Sequence, residues 1–305
     1  VRTVFIGAVE GSAKALEALC RSGHAPSLVV TLPLELSYRH SDFADLEPIC
    51  TAYALPIHRT PKSEAPDTLH LIAELQPDLL LVVGWSQLCS AALRNIPRIG
   101  SLGFHPSALP RLRGRAVIPW TILLGLKETA ATLFWLEDGA DTGPIASQRP
   151  IPVDPDRETA ASLYEKQITA LAEMLPPLVA RIADGDVPAD PQDDSLASIC
   201  GRRRPENGLI DWSRPAAEIE RLIRAVGPPY PGAFTYSESG TRLTLTLAEP
   251  HPRENYFIGL PGQVQAINGN HFTVSCGDSR SIDITAWEGA HEPPRVHTLL
   301  GEERK

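Results

Sequence analysis

Lysine is scarce in this 305-residue chain: Lys14, Lys62, Lys127, Lys166 and Lys305 are the whole set, and the other basic residues are arginines. The 28 basic residues face 37 acidic ones, giving a net charge of −9. That balance argues against the broad basic stripe that extended contact with nucleic acid requires, so no nucleic-acid partner is expected. A local anion site stays open, and arginine's planar fork suits one. The five cysteines (Cys20, Cys50, Cys89, Cys200 and Cys276) are odd in number and scattered, with no Cys-x-x-Cys pair. Neither a disulfide framework nor a metal site is signalled. Long apolar runs are absent too. The longest, Leu79–Trp85, is interrupted by Gly84 and is far too short to span a bilayer. The opening Val1–Ile6 leads into a strand-like segment, without a charged stretch followed by a long apolar one. A soluble cytoplasmic protein with no membrane partner is the expectation. There is no internal repeat and no low-complexity tract.

A glycine-rich phosphate loop is also missing. Gly7-Ala8-Val9-Glu10-Gly11-Ser12 fits neither Gly-x-Gly-x-x-Gly nor the Walker pattern. Glu10 would repel a pyrophosphate at the helix start, which disfavours dinucleotide binding. The N-terminal third does contain strand–helix alternation. Val4–Ile6, Leu28–Thr31 and the continuous apolar run Leu79–Val83 read as strands, the last buried on both faces of a parallel sheet. A helix capped by Ser12, with Ala15, Leu16 and Leu19 on one face, and another over Asp67–Leu75 lie between them. This pattern predicts an α/β fold with a Rossmann-like, doubly wound, mostly parallel sheet. Thr159–Ala183 predicts an amphipathic helix, kinked or split at Pro176-Pro177, and the aspartate-rich stretch after it reads as a surface connection. Beyond Pro231-Gly232 short alternating strands suggest a small antiparallel sheet or barrel. The expected domains are residues 1–200, carrying the chemistry, and 201–305.

One segment is unlike filler. Leu102-Gly103-Phe104-His105 reads as a strand that delivers His105 to its carboxyl end, where open α/β sheets place ligands. Pro106 and Pro110 stiffen the chain just after the histidine. Asp141 lies 36 residues after it, in the loop Asp138-Gly139-Ala140-Asp141-Thr142-Gly143. A histidine and an aspartate on neighbouring strand ends suit a general base and the group that orients it.

The same residues resemble the folate-dependent formyltransferases. That family's signature is Asn-x-His-x-Ser-x-Leu-Pro, then Arg-Gly, then Asp-x-Gly about three dozen residues after the histidine. His105, Ser107, Leu109-Pro110, Arg113-Gly114 and Asp141-x-Gly143 fall in place. Residues 202–212, with Ile223–Ala225, Pro231–Phe234 and Leu260–Val264, resemble the junction into that family's C-terminal domain and the start of its small β-barrel. The resemblance implies 10-formyl-tetrahydrofolate as co-substrate, with His105 and Asp141 catalytic. It implies that Trp85, Ser86, Asp138, Gly139, Ala140 and Gly143 line the folate site. Ser107, Arg113, Gly114 and Arg115 would meet a small acceptor amine with an anionic handle, a nucleotide-linked amino sugar being the natural guess. A homodimer is the family-level expectation. Methionyl-tRNA formylation, hydrolysis of the formyl-folate, or an inactive binding protein are the alternatives. The last arises because Gly103 stands where the motif has asparagine, and removing one oxyanion donor typically costs about a hundred- to a thousand-fold in rate. The Ser101 hydroxyl, a backbone N–H at Gly103, and Arg115 are the candidate replacements.

Overall fold

The computed structural model describes residues 1–302. The chain divides into two compact units. The first comprises residues 1–117, 128–152 and 164–201; the second comprises 118–127, 153–163 and 202 onward. The second unit thus takes up two stretches from within the first 200 residues.

The first unit is built on seven strands: β1 (Thr3–Ile6), β2 (Leu28–Thr31), β3 (Ile57–Arg59), β4 (Leu79–Val82), β5 (Gly100–His105) and, after the two-residue β6 (Arg113–Gly114), β7 (Glu128–Trp135) and β8 (Ile145–Pro152). Their order is β3-β2-β1-β4-β5-β7-β8. The strands from β1 to β5 run parallel, with helices α1 (Glu10–Arg21), α2 (Glu47–Ala52), α3 (Pro66–Glu74) and α4 (Ala91–Arg94) in the crossovers. Every residue of β1, β2 and β4 is buried, as expected for strands covered on both faces. The expected mostly parallel sheet is present. Its far edge differs, because β7 and β8 pair antiparallel to their neighbours.

Ser12 is three residues into α1, not its cap, which is Val9. Its hydroxyl accepts from the N–H groups of Ala8 and Val9 (both 3.1 Å) and donates to the Val83 carbonyl (2.6 Å). The amides that a phosphate would use are therefore filled by the chain's own side chain. A Cβ on Gly7 would lie 2.5 Å from both Ser12 Oγ and Val83 O, so this closure needs glycine.

Helix α5 spans Val117–Leu123, and α6 runs unbroken over Ala160–Ala183, with Pro176 and Pro177 inside it. Each proline costs about 3 kcal/mol. Ile168, Leu171, Leu175, Leu178, Val179 and Ile182 are nearly or fully buried along it. At roughly 1.5–3 kcal/mol each, their burial outweighs that cost, which is why the expected split does not occur. Within the first unit the Tyr164 hydroxyl donates to Asp42 (2.6 Å) and accepts from the Gly11 N–H (3.3 Å). Burial and the Asp42 carboxylate push its phenol well above the ordinary range. Tyr164→Phe is expected to lower unfolding free energy by about 1.5–3 kcal/mol, read from urea midpoints at constant m-value.

In the second unit, after β9 (Ile199–Cys200, which belongs to the first unit) and helix α7 (Ala216–Val226), come β10 (Ala233–Tyr236), β11 (Arg242–Pro250), β12 (Val264–Asn268), β13 (His271–Ser275) and β14 (Ser281–Glu288). They form one antiparallel sheet ordered β10-β11-β14-β13-β12. Leu299 bridges to Gln263 beside β12, and Gly301 bridges to Tyr236 of β10. The final segment therefore links the two open edges, which gives the sheet its barrel-like closure. Arg203 lies 5.2 Å over the Trp120 ring and donates to the Asn207 carbonyl, while the Arg204 N–H bonds Asn207 Oδ1. Arg204 thus caps a short turn over Pro205–Gly208, with Arg203 stacked beside it. Among the described residues no helix is long and apolar enough to cross a membrane.

Candidate active site

Strand β5 alternates its side chains, so Ser101, Gly103 and His105 share one face. His105 ends the strand and is 5 % exposed. Its Nε2 is 2.7 Å from the Leu112 carbonyl oxygen. A carbonyl only accepts, so Nε2 carries a proton, and in the neutral ring Nδ1 then carries the lone pair. Nδ1 faces Asp141 Oδ2 at 3.6 Å. The Phe134 ring meets the imidazole edge-on, with centroids 6.5 Å apart.

Asp141 does not arrive from a neighbouring strand end, as the spacing suggests. Because β7 is antiparallel to β5, Trp135 pairs with Leu102, three residues before the histidine, and His105 pairs with Thr132. The loop after β7 has to fold back over the sheet face. It does so with Asp141 in the left-handed region (φ +56°) and with Gly143 against the Trp135 carbonyl, where a Cβ would lie 1.8 Å from the oxygen. Gly114 N–H then donates to Asp141 Oδ2 at 2.8 Å. Gly114 is itself left-handed (φ +99°), as are Leu112 (φ +57°) and Ala116 (φ +56°). A run of strained backbone next to buried His105 and half-buried Asp141 is the kind of strain that the surrounding structure must hold in place.

The other expected site residues separate into two groups. Ser86, Asp138, Gly139, Ala140 and Arg115 are exposed. Asp138 is paired with Arg94, and Arg115 Nη2 donates to the Ser86 carbonyl at 3.3 Å. Arg115 has no ion pair among the described residues. His40 Nδ1 comes to 3.4 Å from Ser86 Oγ, which brings part of the polar loop after β2 to this rim. The second group is turned inward. Trp85 is buried in the core with its Nε1–H on Ser63 Oγ (3.1 Å). Ser107 is fully buried and donates to the Arg111 carbonyl (2.7 Å), which shapes its own turn. Arg113 is buried and donates to Gln192 Oε1 and Asp194 Oδ1 (both 2.7 Å from Nη2). The resemblance would have these three face ligands, and the structure turns them into the protein interior.

The position of the missing asparagine is also occupied. A Cβ on Gly103 would lie 2.6 Å from Leu136 Cδ2 and 3.0 Å from Phe134 Cε1. Two of the three candidate replacement donors are committed elsewhere. Ser101 Oγ donates to the Arg94 carbonyl (3.0 Å). Leu136 N–H bonds the Ser101 carbonyl (2.8 Å), which puts Gly103 and Phe134, the next pair but one, in a bonded position of the same ladder. Arg115 is the candidate whose charge remains uncommitted.

Two further groups around the site carry no signal in the sequence. Ser198 Oγ accepts from Leu112 N–H (2.9 Å), steadying the residue whose carbonyl holds His105. Gln192, in the stretch that reads as a surface connection, reaches the Asp141 loop. Neither a serine nor a glutamine in a polar connector announces such a contact.

A formyl transferase family model matches residues 2–179, and the model of the formyl transferase C-terminal domain matches residues 203–292. The chain belongs to the formyl transferase family. As a formyl transferase it is similar along nearly its whole length to curated relatives. A methionyl-tRNA formyltransferase of Pseudomonas putida is 33% identical over 292 residues, covering 93% of this chain and 90% of the relative. One of Syntrophus aciditrophicus is 30% identical over 280 residues, covering 91% and 88%. Among solved structures, an N-formyltransferase from Helicobacter canadensis, crystallised with folinic acid and dTDP-3-aminofucose, superposes with a TM-score of 0.68 at 18% identity. The match covers 93% of this formyl transferase and 98% of that chain.

Proposed function

We propose that this formyl transferase moves the formyl group of 10-formyl-tetrahydrofolate to the amine of a nucleotide-linked amino sugar. The observation that carries the transfer chemistry is the pairing of buried His105 with half-buried Asp141, with Nε2 fixed as donor to Leu112 and Nδ1 left as acceptor. The neutral amine attacks the formyl carbon and gives a tetrahedral oxyanion with an ammonium nitrogen. Nδ1 takes the ammonium proton, and the Asp141 carboxylate stabilises the imidazolium. As the carbon–nitrogen bond to the folate breaks, that proton goes to the departing nitrogen, so no net proton is released. Arg115 stands at the exposed rim, suited to the oxyanion or to the acceptor's phosphate. Ser86, Asp138, Gly139 and Ala140 form exposed surface suited to a flat heterocycle. The acceptor assignment is supported by the resemblance in fold to an enzyme crystallised with an amino-sugar nucleotide, and the net charge of −9 weighs against the tRNA alternative.

A second reading, methionyl-tRNA as acceptor, is favoured by one observation. The curated relatives at 30–33% identity carry that name. The deciding experiment presents pure protein and 10-formyl-tetrahydrofolate with amino-sugar nucleotides and, separately, with methionyl-tRNA, following tetrahydrofolate release and product mass. A formyl gain on a sugar nucleotide is expected. Formylation of the tRNA alone replaces the acceptor, release without either acceptor makes the protein a hydrolase, and folate binding without turnover makes it an inactive homologue.

A further inference from the structure

The Asp-rich connector after α6 is stitched to the site along its length. Trp135 Nε1–H donates to the Pro188 carbonyl (2.7 Å), and Asp190 forms a two-way bridge with Ile145 (2.8 and 2.9 Å). The Arg113 N–H bonds the Ser198 carbonyl (2.8 Å), and β9 pairs with β6. At its centre, half-buried Gln192 uses both ends of its amide. Nε2 donates to the carbonyls of Asp141 (2.9 Å) and Gly143 (2.6 Å), and Oε1 accepts from Arg113 Nε (3.1 Å) and Nη2 (2.7 Å). Residues 180–202 fall between the two family models.

We propose that Gln192 is a positioning residue for the transfer reaction, holding the Asp141–Gly143 backbone so that the Asp141 carboxylate stays against His105 Nδ1. Asp141 occupies a left-handed conformation that an L-residue adopts at a cost. Its own carbonyl and the carbonyl two residues on are the atoms that Gln192 grips. Arg113 fixes the other end of the amide, so the donors cannot swing away. The simpler alternative is that Gln192 only satisfies the buried Arg113 guanidinium. Gln192→Glu separates the two, because it keeps an acceptor for Arg113 yet turns an oxygen onto two carbonyl oxygens. The inference rests on the catalytic reading of His105 and Asp141.

The test uses full-length protein labelled with ¹⁵N-histidine, the His105 ring nitrogens being assigned by their loss in His105→Asn. In both Gln192→Met and Gln192→Glu, the Nδ1 resonance is expected to move toward its position in Asp141→Asn while Nε2, held by Leu112, stays. Adding either change to Asp141→Asn should move Nδ1 no further. Turnover with 10-formyl-tetrahydrofolate and dTDP-3-aminofucose should fall about 10- to 100-fold in kcat, with KM for the folate nearly unchanged. An unmoved Nδ1 in both variants overturns the proposal. So does a Gln192→Glu protein indistinguishable from the parent, or a shift that persists undiminished in the Asp141→Asn background. If the parent transfers nothing to dTDP-3-aminofucose, the acceptor assignment falls while the resonances still decide the role of Gln192. If Asp141→Asn itself leaves Nδ1 and turnover unchanged, the catalytic reading falls and takes the proposal with it.

Discussion

Replacing His105 by asparagine is expected to lower the rate of formyl transfer by about 10²- to 10⁴-fold, the range that a positioned general base contributes. An amide cannot take up the amine's proton, so the ammonium intermediate reverts before the folate nitrogen leaves. The substitution also removes the donor to the Leu112 carbonyl, and a modest loss of stability accompanies it, of roughly 1 kcal/mol. The rate is therefore measured in a single turnover well below the unfolding transition, as formylated product against time. Asp141→Asn gives a sharper test, because it preserves shape. Asp141 Oδ2 serves both the Gly114 N–H and Nδ1, so an asparagine oxygen in its place keeps the Gly114 bond while the negative charge that stabilises the imidazolium is lost. A comparable loss is expected, and the double variant should be little worse than either single one, since residues acting as a unit are not additive. A fully active His105→Asn protein would place the chemistry elsewhere.

Legibility in the sequence depends on which interactions are local. β1, β2 and β4 are legible because a strand buried on both faces shows as an unbroken apolar run, and His105 is legible because a strand hands its last side chain to the carboxyl edge. The direction of β7 is not, because a strand's side-chain pattern is the same read up or down a sheet, and direction depends on its partner. That one ambiguity misplaces the route by which Asp141 reaches the histidine. Trp85, Ser107 and Arg113 point to ligands through the family resemblance, yet each finds a protein partner. Motif position marks proximity to a site, and a buried polar group must be satisfied by whatever is nearest. The contact of Gln192 with Asp141 joins residues 51 apart, and no periodicity reports on pairs at that distance. Residue type alone makes Ser12 a cap; in the structure it sits inside the helix and accepts instead from the Ala8 and Val9 amides just before it.

Restoring the motif asparagine, by Gly103→Asn, is expected to destabilise the protein by about 2–6 kcal/mol and to lower activity. Crowding comes first. The new Cβ would sit 2.6 Å from Leu136 Cδ2 and 3.0 Å from the Phe134 ring, closer than van der Waals contact allows, and overpacking of a filled interior costs about 1–3 kcal/mol. The amide then needs partners on a face where the nearest groups are a leucine methyl and an aromatic edge, which adds about 1–3 kcal/mol for an unsatisfied group. Leu136 can turn away on its flexible end, but Phe134 packs edge-on to His105, so the strain falls on the imidazole. Gly103→Asn combined with Leu136→Ala opens space and is expected to recover much of the lost stability, read as the difference in urea midpoint between single and double variants. The kinetics of that pair separate two histories of the site. If the double variant stays below the parent in kcat, oxyanion stabilisation has moved to other groups, Arg115 foremost, and an added amide is redundant. If either variant exceeds the parent a hundredfold, the chain has been working without a donor that its scaffold can still use, and Leu136 and Phe134 mark where that donor was lost.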